Sequence, residues 1–491
     1  MKYYKFVLFL LLVFSVSWSC GQTSTTNIEV NFYLPWRNNL NSLVKVAAKE
    51  EIPILNNGKN YRIVEVKNRR DHDLKLSEIT NNFSNVAVKC FYLPVIKSYK
   101  GNQILDVVIP DYENVVIKKG ESSYFLIEFK AQKSGIGNGN ILFKFNNNEN
   151  VKLATSVFVG NTQFSHQLNV NVWCYFDYDL IKGLKTKVIT DLEDHGVNVL
   201  VIPPYKLPNI RNSASEGNQL VNYLTGTKNK FDHYLLFLNY RTYNNSSFVL
   251  SKQWETNFQN WLLTVKGAFE KCGIDFNKVM LYPYDEPTRD ECNKLIALKS
   301  WCKAHNINIP FYSTVGNSNA LNLEENIQTL QVNTKVKLPN SFKKMQNVDI
   351  WEYEIKAQSR DVPALNYLNF SWRAFRDGAT GIGIWNYADV KKSYPSNSLN
   401  TFSALKSTQG SWQVRQTDVS RDYSCVYRKG DNLYSSIRWE AISMTQQDYN
   451  FLLLYQRLYG EQKALGLAQG LINGSISLAN WERQKLFLLK R

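Results

Sequence analysis

Beyond Gln167 the chain alternates strand and helix for about 290 residues, and no other feature narrows its fold so much. The segments Val170–Phe176, Asn198–Pro203, Tyr234–Asn239, Lys278–Tyr284, Asn308–Val315, Val348–Tyr353, Gly381–Tyr387 and Ser424–Arg428 read as apolar strands. Helical patterns such as Asp179–His195, Lys252–Lys271, Arg289–His305 and Ala364–Arg376 lie between them. Continuous apolar strands separated by helices predict a parallel sheet buried on both faces, and eight such units predict a closed (β/α)8 TIM barrel. The segment from about Ile28 to Phe164 differs: its short alternating strands are separated by Asn, Gly and Lys turns, which predicts a β-sandwich. Within it, Gly135–Asn140 followed by Ile141–Phe145 reads as a hairpin. The expected organisation is a leader over 1–20, a β-sandwich over 21–166, the barrel over 167–460, and a C-terminal helical extension over 461–491 packing on the barrel.

In such a barrel the reactive groups sit at the C-terminal ends of the strands. Here those ends are rich in aromatic and polar residues: Trp173, Tyr240, Tyr284, Asp285, Glu286, Trp351, Tyr353, Trp385 and Tyr387. A purely structural barrel has little reason to collect tryptophans and carboxylates at one rim, so the pattern points to a polar, sugar-sized site. Tyr284-Asp285-Glu286-Pro287 is its sharpest part, because Pro287 ends the strand and favours an extended Glu286. One carboxyl could protonate a leaving oxygen while the other holds a different part of the substrate; the bland alternative is that Asp285 caps the next helix. Trp385, beside the glycine-rich Gly381–Gly383 strand, is the better stacking platform, whereas Trp173 serves equally well as barrel filling. Tyr353 and Tyr387 offer hydroxyls; Glu352, Glu354 and Asp389 stand in reserve should two separated carboxylates be used; Arg438 and Glu440 read as a structural ion pair.

Lys2 and Lys5 precede a short apolar run, Phe6–Val16, too short to span a membrane and suited to a secretory leader. Ser17-Trp18-Ser19-Cys20 resembles a bacterial lipoprotein box, although Ser17 replaces its usual leucine. Lipidation of Cys20 would hold the protein on the outer or inner membrane, in the periplasm or at the cell surface. The net charge of +16 is scattered rather than gathered into a stripe, which argues against nucleic acid and leaves an acidic glycan open. The remaining cysteines form no CxxC pair and the five histidines no cluster, so neither metal nor cofactor is expected. Nothing specifies an oligomer.

Three segments together carry a family resemblance. Tyr284-Asp285-Glu286-Pro287 resembles the Asp-Glu-Pro motif of glycoside hydrolase family 123 and the related bacterial proteins sharing its barrel. Trp372–Trp385 is similar to that group's helix, glycine turn and tryptophan-ended strand, and Ser436–Ile442 with Gln447-Asp448-Tyr449 to its late helix. Ser443–Gln446 departs from the charged stretch usual there. The resemblance implies hydrolysis of a β-linked N-acetylgalactosamine assisted by the substrate's own acetamido group. Glu286 would then be general acid/base, and Asp285 would orient and polarise the acetamido nitrogen. A conventional two-carboxylate glycosidase and a non-catalytic glycan-binding lipoprotein are the competing readings, since fold alone does not decide function.

Overall fold

A computed structural model describes residues 27–491 apart from 98–101, 113–114, 147, 164–165, 212–216, 242–248, 318–322, 324–326, 337–347, 355–361, 389–404, 409–410 and 415–423. The front of the chain forms two five-stranded sheets. One runs in the order Val44–Val46, Ile28–Leu34, Lys59–Asn68, Ser122–Ala131, Val86–Leu93; the other Val116–Ile117, Leu74–Asn81, Gly135–Phe145, Asn150–Val159, Ile52–Ile54. Their facing residues, among them Val64, Val66, Phe125, Ile127, Phe143 and Val157, form one core. Strand Lys59–Asn68 is buried on both sides because its alternate residues Tyr61 and Ile63 turn the other way, into the core shared with the barrel. Gly135–Asn140 is not the turn expected from its glycines. It begins a continuous strand paired with Asn150–Val159, and side chains at Gly137 and Gly139 would collide with Asn85 and Phe83.

The eight-stranded sheet is parallel throughout and comprises Asn169–Val172, Val199–Ile202, His233–Phe237, Val279–Tyr282, Tyr312–Val315, Thr329–Asn333, Asp349–Tyr353 and Gly381–Ile384. The last strand pairs with the first, and a parallel bridge between Leu281 and Phe311 closes the ring between the fourth and fifth. This is a TIM barrel behind a sandwich that is antiparallel except where Ile52–Ile54 joins Asn150–Val159 in parallel. The sequence reading missed the sixth strand, Thr329–Asn333, whose Thr-Leu-Gln-Val-Asn is short and mixed in polarity. The eighth strand it assigned, around Ser424–Arg428, is not in the barrel. Tyr427–Lys429 instead pairs antiparallel with Asn432–Ser436, which in turn joins Val107–Val108 of the front domain.

Alternation along the strands separates two environments. Val199, Val201, Leu235, Phe237, Met280, Tyr282, Tyr312 and Trp351 fill the lumen, while their neighbours face the surrounding helices. A side chain at Gly381 would strike Trp351 and one at Gly383 would strike Gln331, so the glycine-rich eighth strand exists to admit these two large lumen residues.

The long helix Ile437–Tyr459, capped by Ser436, ties barrel to sandwich. Arg438 and Glu440 do not pair with each other: Arg438 forms a fully buried ion pair with Asp106 of the front domain, at 2.9 Å from Nε. Glu440 lies among His195, Lys59 and Tyr61. Further along, Asp448 accepts from Trp372 and Trp481 and is paired with Lys485 of the closing helix Leu478–Leu489. No helix among the described residues is long and apolar enough to cross a membrane.

Candidate active site

The fourth strand stops at Tyr282, and Asp285 and Glu286 follow on a bend at the barrel mouth, both half-buried. Asp285 does not cap the next helix. Thr288 does, accepting from the Glu291 N–H while Glu291 accepts from Thr288, which leaves Asp285 available. Asp285 Oδ1 accepts two hydroxyls, from Tyr282 at 2.6 Å and from Thr314 on the fifth strand at 2.8 Å. Its Oδ2 has no hydrogen-bond partner among the described residues.

Glu286 is not extended, as the following proline would favour; its φ is +45°, left-handed and strained for a glutamate. Contacts on both sides of the residue hold it there. Thr314 Oγ1 accepts its N–H at 2.5 Å, and Arg241 donates to its carbonyl oxygen at 3.0 Å. Arg241 is in turn fixed by both oxygens of Glu291, and this pairing holds the Glu291 carboxyl down to about 2. The Glu286 side chain passes over Gly316, where a Cβ would come within 2.6 Å of its carboxyl carbon, and accepts the Tyr353 hydroxyl from the seventh strand. Burial, reinforced by the Glu286 contact, pushes the Tyr353 hydroxyl far above the ordinary phenol range, so it remains a donor. Burial and then Asp285 do the same to Tyr282.

Beneath the pair lies a polar layer. Asn171 donates to Gln331 at 2.8 Å and to the Tyr312 hydroxyl at 3.2 Å, and Tyr312 packs edge-on against Tyr282. Trp351 fills the lumen below, fully buried against Tyr312 and Gly381, out of a ligand's reach. Trp173 is half-exposed at the mouth, in contact with Phe237, Tyr175 and Tyr282. Trp385 is also half-buried; it follows two inward-facing glycines in strand alternation, and pairing with the first strand continues past it through Tyr387 N–H to Trp173 O.

Three expected site residues lie elsewhere. Tyr240 and Tyr284 are buried edge-to-face in the layer between strands and helices, because the strand register breaks at Pro283 and turns Tyr284 outward. Tyr387 is fully buried with its hydroxyl on Asp191, behind the barrel wall. Among the reserve carboxylates, Glu352 alternates away from the lumen, and burial followed by Asp377 pushes its carboxyl up. Glu354 is paired with Arg373 on the neighbouring helix, and Asp389 lies outside the described residues. Thr314, Arg241 and Gln331 escaped the sequence reading. Thr314 and Gln331 are ordinary strand residues, marked only by alternation once the strand ends are known.

The architecture just described is that of a sandwich-backed TIM barrel. It is similar to the structure of a family 123 glycoside hydrolase from Clostridium perfringens, reported for glycolipid glycan hydrolysis: TM-score 0.63 at 11% identity, over 94% of this chain and 97% of that one. Weaker matches are a family 39 glycoside hydrolase from Bacteroides cellulosilyticus (TM-score 0.39, 10% identity, 81% of each chain) and a family 2 β-galacturonidase from Eisenbergiella tayi (0.33, 11%, 85% and 72%). The sequence matches no protein-family model and no curated protein. At such identity the likeness is one of fold.

Proposed function

We propose that this protein is a glycoside hydrolase acting on a β-linked 2-acetamido sugar, β-N-acetylgalactosaminidase-like, by a substrate-assisted retaining mechanism. One observation carries the reading. Two neighbouring carboxylates with different partners stand at one strand end, and among the described residues no inward-facing residue within the C-terminal half of any of the other seven strands is a carboxylate. Neighbours on one bend cannot straddle a sugar ring as acid and opposite-face nucleophile, which a conventional retaining site requires at about 5 Å separation. A substrate acetamido group removes the need for the second carboxylate.

In this mechanism the acetamido carbonyl oxygen bonds to the anomeric carbon as the glycosidic C–O bond breaks, and Glu286 gives its proton to the leaving oxygen. Asp285 accepts the acetamido N–H and stabilises the positive charge that develops there. Water then attacks the anomeric carbon, Glu286 takes its proton, and the acetamido group is restored. The two displacements retain configuration. Trp385 and Trp173 supply apolar faces for the ring, and Tyr353 orients the acid. The competing conventional reading loses Glu352 and Glu354 as partners, since one faces the helices and the other pairs with Arg373; its third candidate, Asp389, lies outside the described residues.

A panel of aryl β-glycosides with and without a 2-acetamido group tests this. Turnover of the acetamido members, abolished in Glu286→Gln on unactivated leaving groups, is expected; equal turnover of the plain glycosides would favour the two-carboxylate route. Binding without turnover that is indifferent to Glu286→Gln would indicate a glycan-binding protein.

The leader features extend the proposal to location: export, with a lipid on Cys20 holding the protein at a membrane. Cys20→Ala should move the protein to the soluble fraction, and its persistence in the membrane fraction would contradict the anchor.

A further inference from the structure

A row of rings leads away from the carboxylate pair over the ends of the first and second strands. Tyr282, bonded to Asp285, meets the edge of Trp173 with centroids 6.1 Å apart; Trp173 stacks on Tyr175 at 6.1 Å; Tyr175 meets Tyr205 edge-on at 6.0 Å. Tyr282 is fully buried and Tyr175 nearly so, while Trp173 is half-exposed and Tyr205, one of the few large apolar side chains at the surface among the described residues, is 36% exposed. Tyr205 follows the second strand on a single 3-10 turn, Pro204–Lys206, and its ring is held. Its hydroxyl donates to Asp177 at 2.8 Å, Lys206 bonds the same carboxylate at 3.0 Å and lies over the ring, and Gln219 donates to its backbone carbonyl at 2.8 Å.

Tyr205 keeps about a third of its surface open although its ring is fixed in place. A pre-oriented ring does suit stacking on the apolar face of a sugar, because the cost of ordering it is already met. We infer that Tyr205 is the platform of a distal subsite for a second or third sugar ring, so that the protein acts on oligosaccharides rather than on single terminal residues with arbitrary aglycones. Three ring-to-ring contacts of about 6 Å link Tyr205 to Tyr282 and so to Asp285, which sets the contact beyond the sugar held at the carboxylates. Lys206, whose ammonium covers one face of the ring, and Asp177, at its hydroxyl, offer a sugar on the other face a donor and an acceptor.

The inference rests on the glycosidase reading, and its test separates the two. The full chain and its Tyr205→Ala and Tyr205→Phe variants are compared on 4-nitrophenyl β-N-acetylhexosaminides carrying one and three sugar residues. Binding of the matching free trisaccharide is followed by NMR line broadening. The ratio of kcat/KM on the trisaccharide to that on the monosaccharide should fall roughly fivefold to tenfold in Tyr205→Ala and be largely kept in Tyr205→Phe, which preserves the ring. An equal fall on both substrates, or no fall on either, overturns the subsite. If the wild type hydrolyses neither substrate, the glycosidase reading fails on its own, and binding decides the subsite: trisaccharide binding lost in Tyr205→Ala and kept in Tyr205→Phe supports it, and binding indifferent to Tyr205→Ala overturns it.

Discussion

Thr314 does more than its size suggests. One hydroxyl donates to Asp285 and accepts the backbone N–H of Glu286, so it fixes the spacing of the two carboxylates and helps hold Glu286 at its positive φ. Thr314→Val keeps the shape and removes both bonds, leaving a half-buried N–H without its partner. It should lower kcat/KM about a hundredfold with little change in folded content by circular dichroism, whereas Thr314→Ser should stay within about fivefold of wild type. Loss of activity in Thr314→Ser equal to that in Thr314→Val would show that the methyl group, not the hydroxyl, matters. Asp285 and Glu286 were legible in the sequence because a carboxylate pair before proline at a strand end is a rare local pattern. Thr314 was not, since its role depends on a contact across 29 positions of chain.

Among the elements, the helix Ile437–Tyr459 binds the two halves through buried charges, each needing its partner. Arg438→Leu leaves Asp106 charged and fully buried, and should cost about 3–5 kcal/mol, read as a large drop in unfolding midpoint. A fall of less than 1 kcal/mol would mean that Asp106 finds water or another donor. Beside Arg438 on the same helix, Trp439 stacks on His195, whose ring nitrogens face Asp191 at 3.5 Å and Glu440 at 3.4 Å. Burial alone would push its pKa down, but the two carboxylates outweigh burial and raise it. Burial likewise opposes the Glu440 charge, yet His195 and Lys59 hold that carboxyl well below its usual range. For Asp191, which His195 faces without Lys59's help, burial prevails and the value rises.

A histidine whose folded pKa is raised contributes stability that is fully present below its unfolded value near 6.5 and is lost as pH rises through the folded value. The unfolding midpoint of the wild type should therefore exceed that of His195→Gln most at about pH 6, and the gap should narrow towards about pH 9. A gap that widened with pH would reverse the sign. None of these pairings could be read from the sequence, where Arg438 and Glu440, two residues apart, looked like partners for each other. A separation of two residues on a helix puts them on different faces, so each finds an ion from another element.

For the whole molecule, the strand–helix rhythm was enough to give a barrel behind a sandwich, because apolar periodicity is written locally. The rhythm failed where the signal was weak. Thr329–Asn333 carries polar residues inward, and the apolar Ser424–Arg428 segment packs at the domain junction rather than in the ring. The core of the barrel's outer layer runs without a break into the front domain, through Tyr61, Ile63, Leu93 and Leu126. Sandwich and barrel should accordingly unfold in one calorimetric transition, and a chain beginning at residue 167 should expose that face and aggregate. Two resolved transitions, with a soluble, folded barrel fragment, would show that the halves are independent.

The central claim is that Asp285 and Glu286 serve a nucleophile supplied by the substrate. Its most direct test is inhibition by a thiazoline that mimics the cyclised acetamido intermediate, measured on the wild type and on Asp285→Asn. Competitive inhibition of the wild type well below the substrate KM, weakened at least tenfold when residue 285 can no longer pair as a carboxylate with the protonated ring nitrogen, is the expected result. An enzyme that turns over plain β-glycosides and ignores the thiazoline would contradict it.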